Sequence, residues 1–543
     1  MTERGNGMQE AFDVPVHGIG EPRPPFATLL AMFDHAADTA PDVVALRRGD
    51  TVLTYREERR AAAALARRIA AIVRPGEVVG LLLPNSPEFR VGYLAALKAR
   101  VVPALLNPLY PAAQLDSLLR LAAARAVVCA PETHEVVLDL AGRLGIAEVI
   151  CLGHDVGLAE LVDEADGEPA GAASPGVGET PADAGEAGPD DVAALMFTGG
   201  TTGLSKAVEH THARLVHAVR RMDWAWPART RGEVWLPVAP FTHIYGFLQG
   251  VLGPVFARAE AVIPERFRPE HVVELMARHR VTVFGGGPPA IYAGLLAAPN
   301  LDSSDLSALR VCPAGGAPFP VELMERWRRA TGCQIHEGYG MTEMAPISGT
   351  NELTGVRPGS VGKAVPGVDI QVVDLETGTQ VLAPGERGEV RVRGPHMMAG
   401  YRGRPEETAQ TVRDGFIHTG DIGHLDADGF LFVTDRKKDV VFVKGFNVFP
   451  RQVEEVLYTH PAVAAAGVVG VPDARTGGER LVAYVVPRQD EAVEAEEVAA
   501  YCASRLVSYS CPSDIRVVDV LPMTGAQKLD RLALRRAAEE SDR

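Results

Sequence analysis

The chain has 543 residues, 46% of them hydrophobic and 23% charged, with a formal net charge of −16. That length carries about three or four ordinary domains, or two with one large, and the apolar fraction supports an ample core. The acidic balance, with no long basic block, excludes a nucleic-acid binder that works by neutralising phosphates and is read as serving solubility. The N-terminal stretch carries Glu3, Glu10 and Asp13 and no apolar core, so it is not expected to act as a signal peptide. The most apolar stretch, residues 246–263, is broken by Gln249, Pro254, Arg258 and Glu260, so no transmembrane helix is expected. The six cysteines form no C-x-x-C pair and no zinc spacing with histidine. Free thiols in a reducing cytoplasm are the expectation, and a cytoplasmic location follows from it.

Taken in chain order, strand-like and helix-like segments alternate. Residues 78–83, 126–129 and 148–152 read as buried strands, and residues 88–100 as a helix. Residues 167–190 are Gly, Ala, Pro and acidic, and read as a flexible surface loop. Then comes the apolar run Val192–Phe197, followed by Thr198-Gly199-Gly200-Thr201-Thr202-Gly203-Leu204-Ser205-Lys206. A buried strand entering a loop dense in amide and hydroxyl donors, with one cation, suits a polyphosphate. It is not a Walker A loop, because Lys206 follows Ser205 and precedes Ala207. Further strands are expected at 260–263, 281–284 and 309–312, with amphipathic stretches between them. This alternation predicts layered α/β structure with largely parallel sheets.

A second glycine cluster, Pro313-Ala314-Gly315-Gly316-Ala317-Pro318, reads as a tight turn after the strand expected to end at Cys312. Such a turn is either ordinary or a face for a flat adenine ring. Glu337-Gly338-Tyr339-Gly340-Met341-Thr342-Glu343 offers the Thr342 hydroxyl to phosphate and the Glu343 carboxylate to Mg²⁺. Beyond residue 350 the strands shorten and turn signals multiply. Asp421 follows what reads as a Thr419-Gly420 turn, which suits its carboxylate to the ribose hydroxyls. Asp435-Arg436-Lys437-Lys438-Asp439 marks a boundary, and a compact mixed unit of about a hundred residues follows. Near the end, Leu521-Pro522-Met523-Thr524-Gly525-Ala526-Gln527-Lys528 presents a lysine on a loop.

These pieces, in this order, resemble the acyl-adenylating superfamily, which includes acyl-CoA synthetases, 4-coumarate–CoA ligases, peptide-synthetase adenylation domains and firefly luciferase. The resemblance covers residues 28–531 and rests on five motifs together. It implies a large N-terminal domain (1–435) of layered α/β subdomains plus a β-rich subdomain. A small mobile α+β C-terminal domain (436–543) would follow, hinged near Lys438. It also implies two half-reactions. A carboxylate attacks the α-phosphate of ATP to give an acyl-adenylate and pyrophosphate, and a thiol then displaces AMP.

By the same resemblance Lys206, the donors of Thr198, Gly199, Gly200, Thr201, Thr202 and Gly203, Thr342, and Mg²⁺ on Glu343 offset phosphate charge. Gly315, Gly316, Ala317, Gly338, Tyr339, Gly340, Asp421 and Arg436 belong to the nucleotide set. Lys528 bridges the carboxylate and the α-phosphate, and is withdrawn when the small domain rotates to bring in Gly445 beside the thiol tunnel. The family commonly has Pro before the loop lysine, Gly after it and Gly before the C-terminal lysine; here those positions hold Ser205, Ala207 and Gln527.

Ala239-Pro240-Phe241-Thr242-His243-Ile244-Tyr245-Gly246-Phe247 resembles the family's aromatic acid-pocket motif. Amino-acid-activating members place an aspartate there, and this chain has none. A buried ammonium without a partner is costly, which leaves a fatty or aryl acid. Gly285-Gly286-Gly287-Pro288 leaves room for its body. His243 either gates the pocket or is a packed histidine. The acceptor thiol is coenzyme A, or else the phosphopantetheine of a carrier protein. A non-catalytic nucleotide- or acyl-binding protein would have no use for Lys528.

Overall fold

A computed structural model describes residues 25–164, 187–198, 205–317, 319–443, 446–473, 478–488, 491, 493–523 and 529–541. Gly199, Gly200, Thr201, Thr202, Gly203, Gly445, Lys528 and most of the 167–190 stretch lie outside the described residues.

The first large layer is a seven-stranded sheet ordered Gly400–Tyr401, Ala207–Thr211, Val192–Phe197, Val102–Leu105, Val78–Leu82, Ala124–Cys129, Glu148–Cys151. From Val192–Phe197 onward the pairs are parallel, and the two pairs at the other edge are antiparallel. Its central strands are buried on both faces, as continuous Val/Leu runs require. Helix Tyr55–Ala70 starts at a capping box of Thr54 and Glu57, and helix Pro87–Lys98 at the hydroxyl of Ser86.

A second sheet holds Val283–Gly285, Val234–Pro237, Glu260–Val262, Val44–Arg48 and Thr51–Thr54. The main core lies between these layers. There Phe89 meets Phe241 edge-on at 5.5 Å, and Tyr93 meets Phe247 at 4.9 Å. Burying each such ring stabilises the fold by about 1.5–3 kcal/mol.

A four-stranded sheet follows: Cys312–Gly315, Ile335–Met341, Met344–Gly349 and Lys363–Ala364. Next comes a β-rich sheet built on Asp369–Val373, Gly388–Arg393, Phe416–Leu425 and Leu431–Arg436. The C-terminal part has its own sheet, Val463–Pro472, Glu479–Pro487 and Asp514–Val517, flanked by Pro450–Tyr458, Ala495–Ala503 and Arg531–Ser541. Its core centres on Val453, Leu457, Val468, Ala483 and Val498. Layered α/β structure, then β-rich structure, then a small α+β unit is the expected class.

Two local expectations are corrected. The strand expected at 309–312 lies instead at Cys312–Gly315, so Gly315 is a strand residue and the turn begins at Gly316. The cause is close approach: Gly315 pairs with Gly338, and a Cβ on Gly315 would sit 2.6 Å from the Gly338 oxygen. Asp421 follows no turn either; Thr419-Gly420-Asp421 lies inside the ten-residue strand Phe416–Leu425. Gly420 at φ +70° lets that strand kink without breaking.

The six cysteines are free thiols, five of them buried. Among the described residues no helix is long and apolar enough to cross a membrane.

Candidate active site

Three clusters of predicted residues can be located. The first is the phosphate end. Thr198 and Lys206 close the hairpin between Val192–Phe197 and Ala207–Thr211: Thr198 N donates to Lys206 O at 3.0 Å, and Lys206 N to Thr198 Oγ1 at 3.4 Å. Ala207 pairs with Phe197 in that hairpin and accepts from Arg402 N at 2.8 Å. It is therefore an ordinary strand residue, and alanine there loses nothing that glycine would supply.

Lys206 Nζ lies 3.1 Å from Glu407 and 4.5 Å from the ring centroid of Tyr401. The Tyr401 hydroxyl donates to Glu343 Oε1 at 2.6 Å. Thr342 and Glu343 form the tip of the hairpin joining Ile335–Met341 to Met344–Gly349. That tip is held from outside. His210 Nε2 donates to Thr342 O at 2.8 Å, and Met398 N donates to Glu343 O at 2.7 Å. Burial drives the His210 pKa down to about 4, so the ring is neutral and carries its proton on Nε2.

The second cluster is Asp421, Arg436 and Tyr339. Asp421 and Arg436 stand opposite each other in register, with Arg436 Nε 2.9 Å from Asp421 Oδ1. The Tyr339 hydroxyl donates to Asp421 Oδ2. The Arg436 pKa is raised, chiefly by the Asp421 charge, and the Tyr339 hydroxyl is pushed up, chiefly by burial. Each Asp421 oxygen thus already has a donor, and a ribose hydroxyl would add to that set.

The third cluster is a narrow slot of about 40 Å³. Ala239, His243 and Tyr245 of the acid-pocket motif meet Gly286, Ile291, Gly315 and Gly316 around it. Among the described residues no Asp or Glu lines this slot. His243 caps the short helix Ile244–Phe247, its Nδ1 accepting from Tyr245 N at 3.3 Å. Tyr245 and Tyr292 each donate to Pro313 O at 2.9 Å, tying motif to glycine cluster. Gly316, at φ +84°, has nothing within 4 Å of where a Cβ would stand, so its side faces open space. Gly338 and Gly340 serve packing: a Cβ would sit 2.6 Å from Trp226 at the first and 2.9 Å from the Ala345 Cβ at the second.

Sequence reasoning missed four residues that shape these clusters. Tyr401 and Glu407 hold Lys206, and His210 holds Thr342. Asn85 clamps the acid-pocket backbone, its Nδ2 donating to Ala239 O at 2.9 Å and its Oδ1 accepting from Phe241 N at 2.8 Å. No local spacing signals any of them; the partners lie 58 to 201 positions away along the chain, 58 for Tyr401 and Glu343, 201 for Lys206 and Glu407.

Comparison with known proteins adds the following. The family described as AMP-binding enzyme matches residues 33–402, and the AMP-binding enzyme C-terminal domain matches residues 452–528. A feruloyl-CoA synthase of Amycolatopsis sp is 35% identical over 506 residues, spanning 92% of this chain and 97% of the relative. A long-chain-fatty-acid–CoA ligase of Bacillus subtilis is 38% identical over 352 residues, spanning 64% of this chain and 62% of the relative, less than two thirds of its length. ATP-bound MatB from Rhodopseudomonas palustris superposes with a TM-score of 0.85 at 30% identity, over 95% of this chain and 100% of that one. The apo form of the same protein gives a TM-score of 0.76.

Proposed function

Because this chain belongs to the AMP-binding enzyme family, we propose that it activates an apolar carboxylic acid, fatty or aryl, with ATP and passes the acyl group to coenzyme A. The acid oxygen attacks the α-phosphorus, the bond to the bridging oxygen breaks, and pyrophosphate leaves. The thiol sulfur then attacks the acyl carbonyl, and AMP leaves as the thioester forms.

Lys206, Thr198 and Thr342 meet the phosphates, with the loop of Gly199, Gly200, Thr201, Thr202 and Gly203 supplying amide donors. Asp421 and Arg436 take the ribose. Lys528 neutralises and aligns the attacking carboxylate. Glu343 fits Mg²⁺: one oxygen accepts from Tyr401, and the other has no partner among the described residues. A hard cation that keeps its waters and phosphates asks for one or two such carboxylates. Bound there, it would supply charge neutralisation on the phosphates.

The observation that carries the choice of acid is the slot beside His243, which no carboxylate lines. An ammonium there would be desolvated without a counter-ion. The relatives acting on ferulate and long-chain fatty acids support acids with apolar bodies. We assign the unit before residue 436 to adenylation and the unit after it to the mobile domain, with the hinge near Lys438. The cytoplasm, where the buried thiols stay reduced, is the compartment that fits.

The test is pyrophosphate release across fatty, aryl and α-amino acids, repeated with coenzyme A and with a pantetheinylated carrier protein. Release with fatty or aryl acids and thioester on coenzyme A are expected. Strong release with an α-amino acid would overturn the pocket reading, and thioester on the carrier alone would reassign the acceptor.

A further inference from the structure

Tyr401 belongs to none of the sequence motifs, yet it touches both charged residues at the phosphate end. It is buried, at 6% exposure, beside Glu343 at 7%. Its hydroxyl donates to Glu343 Oε1 at 2.6 Å, and its ring face lies 4.5 Å from Lys206 Nζ. The backbone around it is tied down on three sides. Tyr401 N donates to Thr408 Oγ1 at 3.0 Å, Arg402 N to Ala207 O at 2.8 Å, and Met398 N to Glu343 O at 2.7 Å. One of those ties is to the residue after Lys206, and another is to Glu343 itself.

We propose that Tyr401 is a positioning residue for the adenylating reaction, fixing Glu343 through its hydroxyl and Lys206 through its ring, so that one side chain sets the separation of the metal-side and phosphate-side charges. The hydroxyl bond occupies one carboxylate oxygen and leaves the other, among the described residues, without a hydrogen-bond partner. Partners of this kind orient carboxylates that bind metals. The ring offers an ammonium a face that does not compete as an anion would, so Lys206 can be held yet given up to phosphate.

The inference rests on the adenylating reading, and its test separates the two. Binding of Mg·ATP and of metal-free ATP is measured by calorimetry without acid, so that no turnover occurs. Tyr401→Phe keeps the ring and loses one oxygen. It is expected to weaken Mg·ATP binding about tenfold and leave metal-free ATP binding unchanged. Tyr401→Leu loses both contacts and is expected to weaken metal-free ATP binding as well, by about fivefold. Thioester formation from supplied acyl-adenylate should be unaffected in Tyr401→Phe. A Tyr401→Phe protein that binds Mg·ATP like the wild type, or loses both forms of ATP equally, would overturn this inference alone. A wild-type protein that binds neither form would overturn the adenylating reading and this inference with it.

Discussion

Lys206 rests on Glu407 at 3.1 Å, with both side chains about one-third exposed. In the role proposed for Lys206, a phosphate takes the lysine from that carboxylate, and Glu407 stands as a nearby negative charge when it does. Both effects oppose nucleotide binding, although exposure keeps each modest. Glu407→Gln should therefore tighten ATP binding by about twofold to fivefold, as fits a surface pair worth less than about 1 kcal/mol. A titration of ATP against the two proteins checks it, and weaker binding in the variant would mean that Glu407 places the lysine. Glu337 shows the reverse balance. It is buried, and desolvation raises its pKa from 4.5 to about 7 against the pull of Arg451. A raised carboxyl pKa stabilises the fold at low pH, and that contribution is lost as pH rises from about 4.5 through 7. Glu337→Gln should flatten the fall in Tm across that window, removing a slope worth on the order of 3 kcal/mol in all. Melting curves between pH 5 and 8 decide it. Neutral His210, His212 and His217, each driven to about 4 chiefly by burial, tilt the other way: their contribution is lost as pH drops from 6.5 through 4.

At the scale of elements, the parallel pair Cys312–Gly315 and Ile335–Met341 forms a seam that excludes side chains where Gly315 meets Gly338. Gly315→Ala would drive a Cβ to 2.6 Å from backbone oxygen, which cannot step aside as a side chain tip can. A loss of about 2–3 kcal/mol is expected, as for overpacked cores. Gly316→Ala meets open space and bears only the left-handed backbone strain, about 1–2 kcal/mol. Urea unfolding of the two variants should rank them in that order. This seam also shows what a sequence discloses. The strand Val192–Phe197 was legible because its apolar run is contiguous. The Cys312–Gly315 strand lies three residues beyond the expected one because pattern reading counts large apolar side chains, and this strand runs on through Pro313, Ala314 and Gly315. Tyr401 and His210 were invisible for another reason. Their partners lie 58 and 132 positions away, and only folding brings them together.

Across the whole molecule, the C-terminal unit docks through the start of helix Pro450–Tyr458. Arg451 N donates to Asp435 Oδ2 at 3.0 Å, and the Arg451 guanidinium donates to Val433 O on the last strand of the β-rich sheet. Desolvation by burial raises the Asp435 pKa to about 6. These contacts bear on the boundary proposed near residue 436, across which the proposed mechanism carries Lys528. Lys528→Ala should abolish acyl-adenylate formation, a loss of at least about a hundredfold if charge stabilisation is its work. It should largely spare thioester formation from supplied acyl-adenylate, and equal loss of both half-reactions would remove the assigned role. The slot beside His243 has a wider meaning at this scale. Its walls come from three distant stretches, around residues 240, 288 and 315, and neither Lys206, Glu343 nor Asp421 lines it. Under the proposed function, substitutions at positions such as Ile291 or Val238 change which acid is taken and leave Lys206, Glu343 and Asp421 untouched. Diet and reaction are then separable traits.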